Sequence, residues 1–300
     1  MTIKTVGLIG AGLMGHGIGK NILEKGFALN VVAHRSRGNV DSLVSKGAME
    51  LKSNAEIAAK SDLVILCVTG TPEVEAAVYG EAGILKGAKS GLIIADCSTA
   101  VPDSTIKIAA DLATKGIIMV DTPMTRTPKE AEAGKLGLMV GGDVAVIDSI
   151  RPVLNCFADL IVHCGAVGAA HQVKLINNFM SMAHAAVAAE AITVAAKAGI
   201  NMESLRDVIM GGGAMSVMFG RLINVPLSND DSHAKFAIRN GRKDLRYYTN
   251  MTENMPVASP IAETIHQIFV LADTLGYGEK FVPRLIDMMG KNAGVKSLNS

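Results

Sequence analysis

One proline-free stretch, bracketed by glycines, constrains the fold of this 300-residue chain most strongly. It runs from Gly165 to Gly199 and reads GAVGAAHQVKLINNFMSMAHAAVAAEAITVAAKAG. The pattern predicts one helix from Ala169 to Lys197, about 40 Å long at 1.5 Å per residue. Ala, Met, Val and Ile occupy nearly every side of it, which predicts a helix that is buried all round. Such a helix needs other elements packed around it.

Four polar side chains interrupt this apolar helix: Lys174, Asn177, Asn178 and Ser181. Their spacing of three, four and seven residues places them on one face. A polar helix face is usually turned to solvent, but this face becomes apolar after Ser181. A buried lysine beside amides is costly unless it is partnered, and such groups tend to mark functional sites. The stripe therefore predicts an active site, with a solvated face as the alternative.

Composition excludes several classes of function. The chain is 49% hydrophobic and 19% charged, which is enough for two domains with full cores. Its net charge of +1 provides no field that would attract nucleic acid or a membrane surface. The four cysteines lack metal-ligand spacing, so we expect no metal and a reduced, cytoplasmic protein. Charged residues within the most apolar segment argue against a membrane span, and the N-terminus predicts a strand rather than a signal peptide.

A glycine-rich loop follows the first predicted strand. Thr5 to Ile9 is a short apolar run, GAGLMG follows, and helical periodicity continues from Met14 to Lys25. In a dinucleotide-binding loop the first glycine makes the tight turn and the second lets the pyrophosphate approach the backbone. The third lets the helix pack closely on the strand. The residues predicted to bind the cofactor here are Gly10, Ala11, Gly12, Leu13, Met14 and Gly15.

Strand-like and helical segments alternate through residues 1–164. The further runs that predict strands are Leu29–Ala33, Asp62–Val68, Leu92–Asp96, Ile117–Val120, Leu138–Val140 and Leu160–His163. The helices between them include two with proline in the first turn, Pro72 and Pro102. This alternation predicts an α/β fold with an N-terminal Rossmann-type doubly wound parallel sheet. Residues 165–300 are predicted to form the long connecting helix and an all-α C-terminal domain, in which Ser259 and Pro260 begin a helix and Gly276 ends it.

The end of the second strand predicts which dinucleotide binds. NAD calls for an Asp or Glu on the ribose 2′-hydroxyl, about twenty residues after the glycines. The chain has His34, Arg35 and Ser36 at this position and no acid. Arginine offers a fork of donors to a 2′-phosphate, and serine adds a hydroxyl. The turn predicts NADP rather than NAD, with a solvated basic turn as the alternative.

Hydroxyl groups and one arginine follow two neighbouring strands of the predicted sheet. Ser98 and Thr99 follow one strand, and Thr125, Arg126 and Thr127 follow the next. Serine and threonine at such positions most often cap helices. Arg126 is a natural clamp for the anionic end of a substrate, with an ion pair to Glu130 or Glu132 as the alternative.

Four segments resemble the β-hydroxyacid dehydrogenases, the family of 3-hydroxyisobutyrate dehydrogenase and the glyoxylate/succinic semialdehyde reductases. They are GLIGAGLMG, Asp96-Cys97-Ser98-Thr99, the segment from Gly165 to Asn178, and Lys243-Asp244. The resemblance covers essentially the whole chain. It implies an NADP-dependent enzyme that transfers hydride between NADP(H) and a small anionic aldehyde or β-hydroxyacid. It also implies a homodimer or homotetramer.

The same resemblance implies roles for single residues. Lys174 is expected to be the catalytic acid/base, and Asn178 its orienting partner. Val68 and Thr99 are expected to line the cofactor. Lys243, whose alternative role is a surface charge, is expected near the nicotinamide. The turn after the second strand looks like the Asn-Arg-Thr of NADP-dependent members.

The substrate loop departs from the common family pattern. Most members carry Ser-Gly-Gly to hold a carboxylate where this chain has Thr125-Arg126-Thr127. Sulfolactaldehyde reductases carry Gly-Arg-Thr there, together with an Asn-Asn-x-x-Ser that holds a sulfonate and that this chain also has. Those enzymes resemble NAD users at the second strand, whereas this chain does not. We expect a semialdehyde or sulfolactaldehyde substrate, bound by Ser98, Thr125, Arg126, Thr127, Asn177 and Ser181.

Three other functions remain as alternatives. A 6-phosphogluconate dehydrogenase has a similar Lys–Asn pair but a much longer helical region than the part of this chain after Gly199. Imine reductases share the architecture but carry another residue where Lys174 stands. A non-catalytic NADPH-binding module does not need Lys174 and Asn178, both of which this chain retains.

Overall fold

The computed structural model describes residues 3–34 and 37–295, and strands alternate with helices through its first half. The strands are β1 (Thr5–Ile9), β2 (Ala28–Val32), β3 (Met49–Leu51), β4 (Leu63–Leu66), β5 (Ile93–Asp96), β6 (Ile118–Asp121), β7 (Met124–Thr125), β8 (Leu136–Gly141) and β9 (Ala158–Gly165). The helices are α1 (Leu13–Glu24), α2 (Arg37–Ser45), α3 (Asn54–Ala59), α4 (Thr71–Tyr79), α5 (Ile84–Gly87), α6 (Pro102–Ala113), α7 (Pro128–Glu132) and α8 (Val144–Leu154). This order confirms the predicted α/β fold.

The described strands form one sheet in the order β3-β2-β1-β4-β5-β6-β8-β7, and β9 pairs with β8. The strands from β1 to β6 pair in parallel. β8 runs antiparallel to β6 and β7 and parallel to β9. Successive residues of β4 alternate between two hydrophobic clusters, with Leu63 and Ile65 in one and Val64 and Leu66 in the other. The central strands are therefore covered on both faces, and their carboxyl ends share one edge.

Two strands were not predicted from the sequence. β3 is three residues long and carries the exposed Met49 beside Glu50, so no apolar run marks it. β7 has two residues, too few to show any periodicity, and forms by antiparallel pairing with β8. β1 has the predicted ends, and the ends of the other predicted strands differ from the observed ends by at most two residues. Pro72 and Pro102 lie in the first turns of α4 and α6, as predicted.

The described residues after β9 form helices and the loops that connect them. The α-helices are α9 (Ala169–Lys197), α10 (Met202–Met210), α11 (Val217–Leu222), α12 (Asn224–Ser228), α13 (Ile238–Asn254), α14 (Pro260–Ala272) and α15 (Leu285–Asn292). The chain divides into two compact units, one up to Lys174 and the other from Leu175 onward. The first turns of α9 thus belong to the unit that contains the sheet. The domain boundary predicted between residues 164 and 165 stays a prediction.

The helix α14 ends earlier than predicted. Its last residue is Ala272, and a π-helical turn from Asp273 to Tyr277 follows. Gly276 lies within that turn at φ +88°, a left-handed conformation that favours glycine. Ser259 precedes Pro260 as predicted, but its hydroxyl bonds to the hydroxyl of Thr252 at 2.7 Å and does not cap the helix.

The long helix α9 has the predicted bounds, but the prediction that it is buried all round is wrong. Large apolar side chains on one side are exposed: Ile176, Met180, Val187 and Val194. An alanine-rich and valine-rich sequence shows little helical asymmetry, so the exposed side could not be recognised. Half of its most apolar 18-residue window is buried inside the fold. The helix is long and apolar enough to cross a membrane, a property that core helices of water-soluble proteins share.

Candidate functional site

The glycine loop makes a tight turn between β1 and α1. Gly10 has φ +104°, and a Cβ atom there would lie 2.3 Å from the Cys67 carbonyl oxygen. A Cβ atom at Gly15 would lie 1.9 Å from the Gly10 carbonyl oxygen, so only glycine fits at both positions. Gly12 is the N-cap of α1, with open space around it and no acidic residue in the first turn. The N–H groups and dipole of this helix start suit a pyrophosphate.

Val68 lies beside this loop, after the end of β4. A Cβ atom at Gly10 would lie 3.2 Å from its Cγ1. Among the other loop residues, Ala11 is buried, Met14 is half-buried and Leu13 is exposed. The structure thus brings the predicted cofactor residues of two neighbouring strands together.

The turn after β2 is only partly described. His34 is exposed, whereas Arg35 and Ser36 lie outside the described residues. The next cation, Arg37, donates to the carboxylates of Asp41 and Glu50 at 2.6–2.8 Å. These bonds also hold the pKa of the Glu50 carboxyl below its usual range. Because Arg37 is engaged in this way, the 2′-phosphate role stays a prediction for Arg35 and Ser36.

The loop after β5 is tied to the end of β4. The Ser98 hydroxyl accepts a hydrogen bond from the Val68 N–H at 3.0 Å, and the Ser98 N–H donates to the Asp96 carboxylate at 2.9 Å. Ser98 is buried and Thr99 is half-buried. Burial raises the pKa of the Asp96 carboxyl. These two hydrogen bonds, one to the Ser98 hydroxyl and one from its N–H, hold the loop in place. The predicted contact of Ser98 with substrate stays a prediction.

Lys174 lies at the edge of the sheet that carries these loops. Its Nζ donates to the Met124 carbonyl oxygen at 2.6 Å. Met124 belongs to β7, one of the two unpredicted strands, so no local pattern predicts this contact. The side chain of Lys174 is half-buried. A half-buried ammonium held on a backbone carbonyl can donate a proton to an oxygen placed next to it.

The start of α9 is anchored to the end of β6. The Asp121 carboxylate accepts hydrogen bonds from the N–H groups of Gly168 and His171 at 2.8 and 2.9 Å. Asp121 is fully buried. An acid at a helix N-terminus satisfies N–H groups that have no partner within the helix and interacts favourably with the helix dipole. The position of Lys174 is thus set from both its backbone and its side chain.

Arg126 pairs with an acid that was not predicted. Its Nη1 donates to the Asp159 carboxylate at 2.6 Å and also to the Lys135 carbonyl oxygen. The expected alternative partners, Glu130 and Glu132, make other contacts. Asp159 lies on β9, far away in the sequence, so no local sequence pattern predicts this pair. Arg126 has φ +78°, which lies in the left-handed region that favours glycine.

The two threonines beside Arg126 have local structural partners. The Thr127 hydroxyl donates to the Glu130 carboxylate at 2.5 Å and caps α7 in a capping box. The Thr125 hydroxyl donates to the Gly137 carbonyl oxygen at 3.3 Å across the β7–β8 pair. Each hydroxyl is thus engaged in a structural hydrogen bond. Substrate binding by either threonine stays a prediction.

Further along α9, Asn178 is buried and held by an acid from α13. Its amide donates to the Asp244 carboxylate at 2.6 Å, and its own Oδ1 accepts from the Asn177 amide at 3.1 Å. Asn177 is exposed and Ser181 is half-buried. The sequence signal for Asp244 was its place next to Lys243 in the GRKDL segment. This hydrogen-bonded chain fixes the orientation of the Asn178 amide.

Lys243 is held by its neighbours on α13. Its Nζ lies 2.7 Å from the Asp244 carboxylate and 4.6 Å from the centre of the Tyr247 ring. It also lines a cavity of about 610 Å³ between α13 and α14, together with Arg242, Arg246 and Asp273. Arg242 pairs with Asp273, so the positive charge of this cavity is partly neutralised.

Burial raises the pKa of all four cysteine thiols. All four are free thiols, and burial raises the pKa of the Cys67 thiol to about 12. A thiol with so high a pKa stays protonated near neutral pH. Within residues 3–34 and 37–295, no group of three or more His, Cys, Asp or Glu side chains could hold a metal ion.

Comparison with known proteins identifies the family. The model of the NAD-binding domain of 6-phosphogluconate dehydrogenase matches residues 5–168, and that of the NAD-binding region of NADP-dependent 3-hydroxyisobutyrate dehydrogenase matches residues 168–287. A 2-(hydroxymethyl)glutarate dehydrogenase of Eubacterium barkeri is 31% identical over 97% of this chain and 96% of its own. A 3-sulfolactaldehyde reductase of Escherichia coli is 29% identical over 98% of both chains.

A solved structure agrees with these matches. The crystal structure of a 3-hydroxyisobutyrate dehydrogenase from Salmonella typhimurium has a TM-score of 0.85 and 26% identity, over 95% of this chain and 99% of that one. The resemblance found in the motifs is therefore confirmed. The chain belongs to the β-hydroxyacid dehydrogenase family and is an NAD(P)-dependent oxidoreductase.

Proposed function

We propose that this chain is an NADP-dependent reductase of small anionic aldehydes, of the semialdehyde or sulfolactaldehyde class, which also oxidises the corresponding β-hydroxyacids. The observation that carries the proposal is the Lys174 ammonium, held on the Met124 carbonyl oxygen in the unit that contains the glycine loop. A proton donor and a dinucleotide cradle are the two parts that carbonyl reduction requires.

Different residues have different roles in this reaction. A bound NADPH supplies the hydride. Negative charge then grows on the carbonyl oxygen, and Lys174 donates a proton to that oxygen. Asn178, one turn further along α9, is the orienting partner, and its amide is fixed by Asp244. A positioned acid typically contributes about 10²–10⁴-fold to the rate.

Arg126 is the proposed clamp for the anionic end of the substrate. Both of its protein contacts use Nη1, and its Nε and Nη2 make no hydrogen bond to the part of the chain that the structure describes. This edge of the guanidinium can bind a carboxylate or a sulfonate. Thr127, Asn177 and Ser181 are the proposed further contacts, together with Ser98 and Thr125.

Relatives whose names give a carboxylate or a sulfonate substrate support this substrate class. The Escherichia coli relative is a 3-sulfolactaldehyde reductase, and the Eubacterium barkeri relative acts on a dicarboxylic acid, 2-(hydroxymethyl)glutarate. The choice of NADP over NAD rests on the basic turn at residues 34–36, which has no acid. We further propose a cytoplasmic homodimer or homotetramer.

A panel of aldehydes tests the proposal. Oxidation of NADPH and NADH is followed with sulfolactaldehyde, succinic semialdehyde, methylmalonate semialdehyde and a neutral aldehyde of similar size. We expect turnover with at least one anionic aldehyde and a higher kcat/KM with NADPH than with NADH. Tight NADPH binding without turnover of any aldehyde would instead identify a non-catalytic binding module.

A further inference from the structure

A buried histidine lies one turn before the proposed acid on the same helix. His171 is fully buried, and Lys174 follows it three residues later. Its backbone N–H is one of the two groups that bind Asp121. An imidazole in the interior loses its contacts with water, so it must find partners within the protein. The partners of His171 come from two other segments of the first unit.

Each imidazole nitrogen has one hydrogen-bond partner, and the buried Asp121 carboxylate lies 3.9 Å from Nδ1. Nε2 lies 3.1 Å from the Ser98 carbonyl oxygen, and Nδ1 lies 2.9 Å from the Thr105 hydroxyl. A carbonyl oxygen can only accept, so the proton of the ring must be on Nε2. The Thr105 hydroxyl also lies 3.3 Å from the Val101 carbonyl oxygen, and it bonds to Nδ1 as donor or as acceptor. Both ring nitrogens therefore have a hydrogen-bond partner in this one orientation of the ring.

This ring connects the proposed acid to the loop after β5. On one side, its backbone is part of the helix turn that leads to Lys174. On the other side, it holds the Ser98 carbonyl, whose residue also binds the Val68 N–H beside the glycine loop. A shift of the ring would therefore change the distance between the Lys174 ammonium and the loop that carries Thr99.

We propose that His171 is a positioning residue, which sets the place of Lys174 relative to the Ser98–Thr99 loop through its two side-chain hydrogen bonds. This inference rests on the proposed role of Lys174 as the acid. A displacement of about 1 Å at a reacting group can cost about 10²-fold in rate. A leucine of similar volume would fill the space but would hold neither partner.

Two substitutions of His171 distinguish the effect of its hydrogen bonds from the effect of its volume. In His171→Gln the amide N–H can donate to the Ser98 carbonyl, and the amide oxygen can accept from Thr105. His171→Leu keeps an apolar side chain of similar size and removes both bonds. We expect the leucine variant to lose about tenfold or more in kcat and the glutamine variant to stay within about threefold of wild type. The dissociation constant for NADPH, measured by fluorescence titration, should change little in either variant.

Some outcomes of these measurements would contradict the positioning role of His171. If a folded His171→Leu variant keeps wild-type kcat, or if both variants lose kcat equally, the inference is wrong. If the leucine variant does not fold, Thr105→Val removes the hydroxyl that bonds to Nδ1, together with its contact to the Val101 carbonyl oxygen at the start of α6, and should also lower kcat without weakening NADPH binding. Unchanged kcat in that variant would likewise contradict the inference.

A second measurement does not depend on turnover, so it remains decisive even if the proposed function fails. Hydrogen–deuterium exchange is measured on peptides that cover residues 98–105 and 168–175. Because the ring links these two segments, His171→Leu should speed exchange in both, and His171→Gln should not. Exchange that is the same in the leucine variant and in wild type would overturn the positioning role. Absent turnover in wild type, by contrast, would count against the proposed function alone.

Discussion

At the scale of single residues, the proposed acid is held by a neutral partner. Lys174 donates to the Met124 carbonyl oxygen. A carbonyl oxygen accepts a hydrogen bond from the ammonium and so orients it. An ammonium held in place can stabilise a negative charge that grows on a substrate oxygen beside it.

Replacing this lysine should remove the proton donor and little else. We expect Lys174→Ala to lower kcat by about 10²–10⁴-fold, the range typical of a positioned acid. The affinity for NADPH and the melting temperature should stay near those of wild type. Lys129→Ala, which removes an exposed lysine of α7, is the control and should have full activity. A Lys174→Ala variant that keeps more than about a tenth of wild-type kcat would falsify this role.

The cofactor preference is argued from two arginines with different surroundings. Arg35 is the proposed partner of the 2′-phosphate, and a hydrogen bond to a charged group contributes about 1.5–3 kcal/mol. Arg35→Ala should therefore reduce kcat/KM with NADPH at least about tenfold and leave NADH nearly unchanged. Arg37→Ala is the matched control, because Arg37 already binds Asp41 and Glu50. Equal losses with both cofactors in the Arg35 variant would count against the NADP assignment.

Arg126 combines a strained backbone with an exposed ion pair. A non-glycine residue in the left-handed region costs about 1–2 kcal/mol, and an exposed ion pair contributes about 0–1 kcal/mol. Arg126→Gly should therefore change stability little and raise KM for anionic aldehydes while sparing a neutral one. In Asp159→Asn the arginine remains and loses only its competing carboxylate, so KM for anionic aldehydes should not rise. An equal loss on the neutral aldehyde in the Arg126 variant would show a structural role.

At the scale of elements, close packing explains glycines that make no turn. Gly17 lies within α1, where a Cβ atom would be 2.5 Å from the backbone carbonyl carbon of Ala131 in α7. Backbone atoms cannot move aside as a flexible side chain can. Gly38 lies in α2 with nothing within 4 Å of the same built atom. Both glycines are helical, and they differ in whether there is space for a Cβ atom.

Alanine should have opposite effects at these two glycines. Overpacking costs about 1–3 kcal/mol, so Gly17→Ala should lower the free energy of unfolding by about that amount. Gly38→Ala should raise it by about 0.4–1 kcal/mol, because alanine restricts the unfolded chain and fits the helix. Urea denaturation of both variants measures the difference. Equal changes in the two variants would show that α1 and α7 do not pack as closely as described.

The helices and strands also show which parts of the structure local sequence patterns predict. The glycine loop, the main strands and the bounds of α9 follow from local periodicity and glycine chemistry, and the structure agrees with them. The strand β7 depends on pairing with β8, and the partners of Arg126 and Asn178 are Asp159 and Asp244. Such contacts join residues far apart in the chain, so they leave no local pattern. The exposed side of α9 was missed for a related reason, because alanine suits both surface and core.

At the scale of the whole molecule, the exposed side of α9 requires an explanation. Val187 and Val194 are 65% and 62% exposed, and they line a mainly apolar groove of about 430 Å³ together with Ile200, Leu205 and one charged residue, Glu190. An exposed apolar stripe of this kind is typical of an interface between protein chains. The net charge of +1 gives copies of the chain little mutual repulsion. These features support the proposed homo-oligomer.

A charge placed in the groove should separate the subunits. Val187→Glu introduces a carboxylate that would be buried without a partner in an interface between copies, a cost of several kcal/mol. Light scattering after size exclusion should give a dimer or tetramer for wild type and a smaller species for this variant. Val144→Glu alters an equally apolar, 55% exposed side chain on α8 and should leave the mass unchanged. A monomeric wild type, or a Val187→Glu variant that keeps its mass, would mean that the groove of α9 is not the subunit interface.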